Sequence, residues 1–200
     1  MSKEIELLKE AIKILEEREK SSKVQLSTLK PGETFKVGEH DFIVLKQGEE
    51  VTHVISKDFM AENIEFDENT RDYKKSNLKK VIERDIQPLI EKEVGTDNII
   101  EHEVDLTSVD MQNEFGTYMC KVRPITFDEA RKYNDLFANE EMPDWYWTCT
   151  PWSTEKRGWR YSIAVVSPSG LIYFFVCRCV CGVRPFCILK SNIFVSKGEK

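Results

Sequence analysis

Two short motifs near the end of this 200-residue chain frame the stretch that decides its fold. The first is WYWTCTP at residues 145–151, and the second is GVRPF at residues 182–186. Between them, residues 171–181 read LIYFFVCRCVC, an aromatic and sulfur-rich run that turn residues frame like an ordinary hairpin strand. A core strand rarely carries an arginine such as Arg178 in mid-run, and a surface strand rarely carries so many large apolar side chains. A binding surface can carry both, so residues 145–190 are the candidate ligand-binding segment.

If residues 171–181 form one strand, alternate side chains point to opposite faces. One face would carry Tyr173, Phe175, Cys177, Cys179 and Cys181, and the other would carry Ile172, Phe174, Val176, Arg178 and Val180. Arg178 favours solvent at the far end of the second face, whereas Phe174 and Val176 suit a core. Both orientations therefore stay open.

The composition is typical of a soluble globular protein, with 40% hydrophobic and 32% charged residues. The length suits one domain with an appendage, or two small domains. A formal net charge of -6 argues against a nucleic-acid binder that relies on phosphate contacts. The charge is uneven, because residues 145–190 carry Glu155 as their one acid against six basic residues, Lys156, Arg157, Arg160, Arg178, Arg184 and Lys190.

Six cysteines in a chain without an export signal predict reduced thiols. On one strand, Cys177, Cys179 and Cys181 would share a face at about 7 Å spacing, which is too far for a relaxed disulfide. No C-x-x-C pair is present, so the sequence predicts no metal site and no cofactor. Small apolar packing is the expected role of these thiols.

The hydropathy and charge pattern of the sequence predicts no targeting signal. No apolar run approaches the length of a membrane span, and the charged N-terminus lacks the apolar segment of a signal peptide. We therefore expect the protein in the cytoplasm of a host cell or in a virion, without a membrane span.

Residues 3–20 form the clearest predicted helix, with Ser2 as N-cap. Apolar side chains repeat at heptad a and d positions, namely Ile5, Leu8, Ile12 and Leu15. This amphipathic helix either packs on its own domain or joins copies of the chain as a homo-oligomer. The predicted division is therefore residues 1–22 for the helix and residues 26–196 for the globular domain.

Other local patterns predict a strand meander followed by helices and further strands. The meander covers residues 34–37, 42–45 and 51–56. A helix spans residues 77–94, with a kink or a break near Gln87 because Pro88 lies inside it. Thr126 and Glu129 form a capping box that opens a second helix reaching residue 137. The remaining predicted strands are residues 146–149, 161–166, 171–181 and 186–189.

No pattern predicts catalysis. His40, His53 and His102 are scattered without a nucleophile beside them, and the glycines are isolated turn residues rather than a phosphate-binding loop. We expect a non-enzymatic protein. Trp, Tyr and Arg dominate interface hot spots, although about half of the aromatic residues must serve the core. The candidate ligand-binding residues are Trp152, Trp159, Arg160, Tyr161, Tyr173, Phe175, Cys177 and Arg178.

The tail resembles a bacterial and phage family of domains of unknown function, whose signature is a WWLRSP-like strand, a variable hairpin and a closing GVRP. The specific motifs are WTCTP at residues 147–151 and GVRP at residues 182–185. Weaker matches are LKPG at residues 29–32, YKKSNL at residues 73–78 and TFDEA at residues 126–130, so the resemblance covers roughly residues 29–196. Cys149 stands where that family commonly has arginine.

The resemblance implies an α+β, C-type-lectin-like fold with an N-terminal helix, similar to formylglycine-generating enzymes and to the variable proteins of diversity-generating retroelements. Those variable proteins change residues at adenine-containing codons, and every residue from 171 to 181 is reachable from a mutated AAY codon. The implied function is a non-enzymatic display protein of phage or mobile-element type that binds a protein or glycan. Arg184 and Pro185 would then be structural.

Two alternatives stay open. One is an intracellular phage effector that binds a host protein, for example an anti-defence factor. The other is a formylglycine-generating-type thiol oxidase, whose redox-active cysteine pair does not map onto the cysteines at positions 177, 179 and 181.

Overall fold

The computed structural model of the chain describes Ile5, residues 8–10 and residues 23–198. These residues form a mixed structure of mainly antiparallel sheets with short helices, which confirms the predicted mixture of helix and strand. The strands are β1 (Lys23–Gln25), β2 (Thr34–Val37), β3 (His40–Gln47), β4 (Val51–Ser56), β5 (Ala61–Glu65), β6 (His102–Asp105), β7 (Thr117–Cys120), β8 (Val122–Pro124), β9 (Tyr146–Pro151), β10 (Ser162–Val166), β11 (Ile172–Val176), β12 (Val180–Val183), β13 (Pro185–Lys190) and β14 (Phe194–Ser196). The helices are α1 (Asn77–Val81), α2 (Gln87–Val94) and α3 (Phe127–Phe137), with a π-helical turn at Ile82–Ile86 and 3-10 turns at Leu26–Thr28, Tyr73–Lys75, Thr96–Asn98 and Glu155–Arg157.

Two five-stranded sheets dominate the fold. One has the order β2-β3-β4-β13-β8 and contains the predicted antiparallel meander; we call it the scaffold sheet. The other has the order β11-β10-β9-β12-β5, and we call it the display sheet. Smaller pairs, β1 with β14 and β6 with β7, complete the sheet structure of the described residues.

The long predicted helix forms, with a π-helical turn just before its proline. Ser76 caps its start, because Ser76 Oγ accepts a hydrogen bond from the Lys79 N–H at 3.1 Å. Pro88 has no N–H for the carbonyl four residues earlier, and a π-helical turn lies just before it, in which the Gln87 N–H bonds the Ile82 carbonyl. Residues 77–94 stay helical throughout, so the irregularity before Pro88 is this π-helical turn rather than a break.

The capping box predicted at the start of α3 is present. The Glu129 N–H donates to Thr126 Oγ1 at 3.1 Å, and the Thr126 N–H donates to the Glu129 carboxylate at 2.9 Å. The same carboxylate receives two hydrogen bonds from Arg123, at 2.6 and 2.7 Å. The cap therefore also joins α3 to β8.

The display sheet is centred on β9, whose residues are all buried. Trp147 is fully buried and donates its indole N–H to the Ile64 carbonyl at 2.7 Å. Parallel β12 joins β9 through the pair Gly182 and Tyr146. A Cβ atom at Gly182 would lie 2.3 Å from the Phe59 ring, so this close approach requires glycine.

Arg184 stands where the chain passes from the display sheet to the scaffold sheet, between β12 and β13. It is fully buried and donates to the Ser56 carbonyl at 2.9 Å and to the Phe137 carbonyl at 3.0 Å. The second carbonyl lies at the end of α3, where the helix dipole favours a cation. The arginine of the GVRP motif thus joins both sheets and a helix end.

Residues 171–181 are two strands rather than one, so the single-strand prediction is wrong. Strand β11 ends at Val176, whose carbonyl accepts the Cys179 N–H at 2.8 Å across a tight turn, and β12 begins at Val180. Cys177 and Cys181 are buried whereas Cys179 is exposed, so the three thiols do not share one face. The turn contains no Gly, Pro, Asn or Asp, which are the residues that signal turns in a sequence.

The predicted N-terminal helix lies mostly outside the described residues. Ile5 and residues 8–10 are helical and exposed, with Ile5 at 45% and Leu8 at 62% exposure. The rest of residues 3–20 falls outside the described part of the chain. Among the described residues, no helix is both long enough and apolar enough to cross a membrane.

Candidate functional site

Strand β11 is the outer strand of the display sheet and pairs with β10 alone. The Ser167 N–H donates to the Leu171 carbonyl and the Cys177 N–H to the Tyr161 carbonyl, so odd-numbered residues of this segment face β10. In an antiparallel pair, the backbone groups of the even-numbered residues then point outward. These are Ile172, Phe174 and Val176.

Aromatic side chains pack on both faces of this outer strand. On one face, the ring of Trp145 lies 6.5 Å from Tyr173 and 5.2 Å from Phe175, centroid to centroid. On the other face, the ring of Phe174 lies 5.1 Å from Trp152 and 4.8 Å from Trp159. We call these six residues the aromatic band.

The two halves of the aromatic band meet across the free edge of the sheet. Tyr173 and Phe174 are consecutive, so their side chains leave the strand toward opposite faces. Their rings nevertheless stack, with centroids 4.7 Å apart and planes inclined by 25°. Because β10 occupies the inner side of the strand, the rings come together over the outer side. There they cover part of the unpaired backbone, which hinders pairing with another strand.

Exposed apolar side chains concentrate around the band. Ten large apolar side chains are exposed in the described part of the chain, and four of them are Leu171, Tyr173, Val176 and Val180, at 61, 49, 45 and 45%. Isolated exposed apolar residues need no explanation, whereas a contiguous group marks an interaction site. The apolar run of residues 171–181 therefore contributes a surface as well as core residues.

Comparisons of the chain with protein-family models, curated proteins and solved structures return no match. The resemblance of the tail to the GVRP-containing domains thus stays a prediction.

Four of the eight predicted ligand-binding residues come together in this band. Trp152, Trp159, Tyr173 and Phe175 belong to it directly. The exposed Arg160 lies with its guanidinium carbon 5.2 Å from the ring centroid of Tyr161, which is half-buried against the core. Arg178 is exposed beside the turn that follows β11, where its Nε donates to the Glu68 carbonyl at 2.6 Å.

Cys177 is the exception among those residues. It is fully buried and packs in the main core, so its side chain is not available to a ligand. The sequence-based selection also omitted Trp145 and Phe174, which complete the band. Alternation leaves the orientation of Phe174 open and does not reveal that its ring stacks on Tyr173.

Five of the six thiols are buried and resist ionisation. All six cysteines are free, and burial raises the pKa of Cys149 and Cys187 to about 12 and that of Cys120 to about 11. Burial also raises the pKa values of Cys177 and Cys181. A thiol must ionise to act as a nucleophile or a metal ligand, so these five stay protonated near neutral pH. Within the described residues, no group of His, Cys, Asp and Glu side chains is placed to hold a metal ion.

A buried polar network lies away from the band. Arg123 is 3% exposed, donates to Glu129, and donates through Nε to His102 Nε2 at 3.1 Å. Burial lowers the pKa of His102 to about 4, and the charge of Arg123 adds to the effect, so the imidazole is a neutral acceptor at pH 7. His102 lies in β6, Arg123 in β8 and Glu129 in α3, so these hydrogen bonds join the three elements.

Cavities of about 290 to 530 Å³ are present, but their lining residues lie outside the aromatic band. A small-molecule site is normally concave and encloses most of its ligand. The aromatic band instead lies along the edge of a strand, outside these cavities. Such a site suits a macromolecular partner better than a small molecule.

Proposed function

We propose that this chain is a non-enzymatic binding protein that holds a protein or glycan ligand against the aromatic band. The observation that carries the proposal is the continuous contact of six aromatic rings across a free sheet edge, surrounded by exposed Leu171, Val176 and Val180. Trp and Tyr bury large areas at low entropic cost, which is why they dominate binding hot spots.

The arrangement of the display sheet supports recognition by a rigid surface. The band stands on an outer strand, while β9 beside β10 is entirely buried. A surface that is ordered before binding loses less conformational freedom on association. We propose further that the fold is C-type-lectin-like and that the chain is a display protein of phage or mobile-element type. The WTCTP and GVRP motifs and their spacing support this part of the proposal.

A selection experiment tests the proposed function. A random dodecapeptide display library and a glycan array are screened with the wild-type protein, and each binder is measured again with Tyr173→Ser. We expect the variant to weaken the binders at least about tenfold, because a central hot-spot ring is lost.

The matched control is Phe194→Ser, which removes an even more exposed aromatic ring, 67% against 49%, outside the band. It should leave binding unchanged. Binders that persist with Tyr173→Ser, or are lost equally with Phe194→Ser, would place the ligand site elsewhere and refute the proposal.

A further inference from the structure

We infer that Asp110 is a positioning residue that holds Trp159 in the aromatic band. The inference rests on the proposed function and concerns how the ligand surface keeps its shape. Asp110 acts through the connector, which we define as residues 152–161 between β9 and β10, rather than by contact with a ligand. The connector carries Trp152 and Trp159, the two tryptophans on the Phe174 side of the band.

The two ends of the connector are fixed by strands of the display sheet. The Trp152 N–H donates to the Ser162 carbonyl at 2.9 Å, and the Tyr161 carbonyl accepts from the Cys177 N–H at 2.7 Å. Between these ends the chain forms the 3-10 turn at Glu155–Arg157, whose backbone hydrogen bonds stay within the connector. These bonds shape the turn but do not join it to the rest of the protein.

Asp110 links the middle of the connector to the rest of the protein. Its Oδ2 accepts a hydrogen bond from Ser153 Oγ at 2.6 Å and another from Arg157 Nη1. Among the described residues, no other hydrogen bond or ion pair joins a side chain of residues 153–160 to a residue outside the connector. Ser153 is 3% exposed, so its bond to the carboxylate is shielded from water, whereas the half-exposed Arg157 contributes less.

The loop between β6 and β7, residues 106–116, holds Asp110 in place. Ser108 Oγ donates to Asp110 Oδ1 at 2.6 Å. The Val109 N–H donates to the carbonyl of Pro151, the last residue of β9, at 3.0 Å. Burial would raise the pKa of Asp110, but its three side-chain hydrogen-bond donors outweigh burial and hold that pKa at about 2. The carboxylate therefore stays charged at neutral pH.

Packing gives the connector little further support on the side of this loop. A cavity of about 530 Å³ lies between the two, lined by Gln112, Asn113, Glu114, Thr154, Lys156 and Arg157. On the other side, the ring centroid of Trp159 lies 4.8 Å from that of Phe174 and 6.4 Å from that of Trp152. These ring contacts depend on where the connector places Trp159, and Asp110 fixes that placement.

Fluorine NMR of protein labelled with 5-fluorotryptophan tests the inference without a ligand. The chain has four tryptophans, so single Trp→Phe variants assign every resonance. In Asp110→Ala we expect the Trp159 resonance to move and its shift between H₂O and D₂O to increase, because the ring leaves Phe174 for solvent. The resonance of fully buried Trp147 should stay unchanged, which shows that the fold is retained.

Asp110→Asn is the conservative variant. Its amide oxygen can accept from both donors of the connector, while its NH₂ group faces Ser108 Oγ, which can accept. The Ser108 hydroxyl then donates to the Gln112 carbonyl, 3.2 Å away. We therefore expect Asp110→Asn to keep the wild-type resonance of Trp159.

Asp105→Ala is the matched control at the start of the same loop. It removes a carboxylate whose hydrogen bonds, at 2.8 and 2.7 Å, go to the N–H and hydroxyl of Thr107 and not to the connector. The Trp159 resonance should stay in place. If Asp110→Ala disturbs Trp147 as well, Ser153→Ala replaces it with the same expectation, because it removes only the buried donor.

Peptide binding then connects this role to the proposed function. The probe is the tightest dodecapeptide selected on the wild-type protein, and calorimetry measures its affinity. We expect Asp110→Ala to weaken it at least about fivefold, because a loosened connector must be ordered on binding. Asp110→Asn and Asp105→Ala should stay within about twofold of the wild type.

Each contrary result has a distinct meaning. An unchanged Trp159 resonance in Asp110→Ala would overturn the inference, and so would an equal displacement in Asp105→Ala. A displaced Trp159 with unchanged peptide binding would support the positioning role and count against a ligand surface around Trp159. A selection that yields no binder would refute the proposed function, while the fluorine spectra would still decide the role of Asp110.

Discussion

Arg123 shows how much of this structure depends on one buried charge. Its guanidinium lies 4.2 Å from the ring centroid of Phe186 and forms two hydrogen bonds with Glu129. Burial would raise the pKa of Glu129, but the hydrogen bonds and the charge of Arg123 outweigh burial and keep that pKa below its ordinary value. A buried cation without its counter-ion is costly, so the two residues depend on each other.

The variant Glu129→Gln should destabilise the protein by about 2–4 kcal/mol, because it leaves Arg123 buried without a carboxylate. Urea unfolding measures the change in the free energy of unfolding. Asp128→Asn is the control on the same helix turn, since Asp128 and its partner Arg131 are 73% and 69% exposed. It should cost less than about 1 kcal/mol. Equal losses in the two variants would contradict a special role for the buried pair.

His102 makes stability depend on pH. Its folded pKa of about 4 lies below the ordinary value of 6.5. As the pH falls from 7 to 4.5, the unfolded chain binds a proton on this residue and the native chain does not, so stability falls. The contribution is about 1–2 kcal/mol after allowance for partial exposure. Urea unfolding of His102→Gln should show a smaller loss of stability over this range than the wild type, and an equal loss would contradict the prediction.

At the scale of single elements, helix starts were predictable because their causes are local. The capping box depends on Thr126 and Glu129 alone and is present. Pro88 likewise predicts a local irregularity, and a π-helical turn lies just before it. The end of β11 was not predictable. The turn after Val176 has no turn residue of its own, and Arg178 is held there by the Glu68 carbonyl, far away in the sequence. Long-range contacts of this kind leave no local pattern.

The variant Ser76→Ala tests the cap of α1. Ser76 is fully buried, accepts from the Lys79 N–H and donates to the Tyr73 carbonyl at 2.9 Å. Loss of the hydroxyl should cost about 1–2 kcal/mol, because the Lys79 N–H loses its partner and the Tyr73 carbonyl keeps only the Ser76 N–H. Thermal unfolding should show this as a lower Tm. Ser169→Ala, at an exposed turn position, should stay within about 0.5 kcal/mol of the wild type.

At the scale of the whole molecule, the sequence predicted most strands but could not predict their order. The scaffold meander follows chain order, whereas the display sheet places β12 beside β9 and β5, an arrangement that depends on contacts between distant residues. The binding surface was likewise half predictable. Its aromatic composition was visible in the sequence, but the stack of Tyr173 on Phe174 required the strand edge to be known.

The N-terminal segment carries a prediction about assembly. Ile5 and Leu8 are exposed apolar residues of the predicted heptad pattern. If this segment joins copies of the chain, light scattering should show an oligomer for the wild type and a monomer for the variant carrying Ile5→Glu and Leu8→Glu. Glu10→Gln, at an exposed described position, should leave the assembly intact. A monomeric wild type would contradict the prediction.

The position of Tyr173, Val176 and Val180 at the rim of the display sheet has an evolutionary consequence. Exposed side chains can be exchanged at little cost in stability, whereas exchanges at buried Trp147 or Arg184 threaten the whole fold. Recognition can therefore be remodelled one mutation at a time while the protein stays above the stability it needs to function. In such a molecule the buried core stays constant, while the exposed binding surface is free to change its specificity.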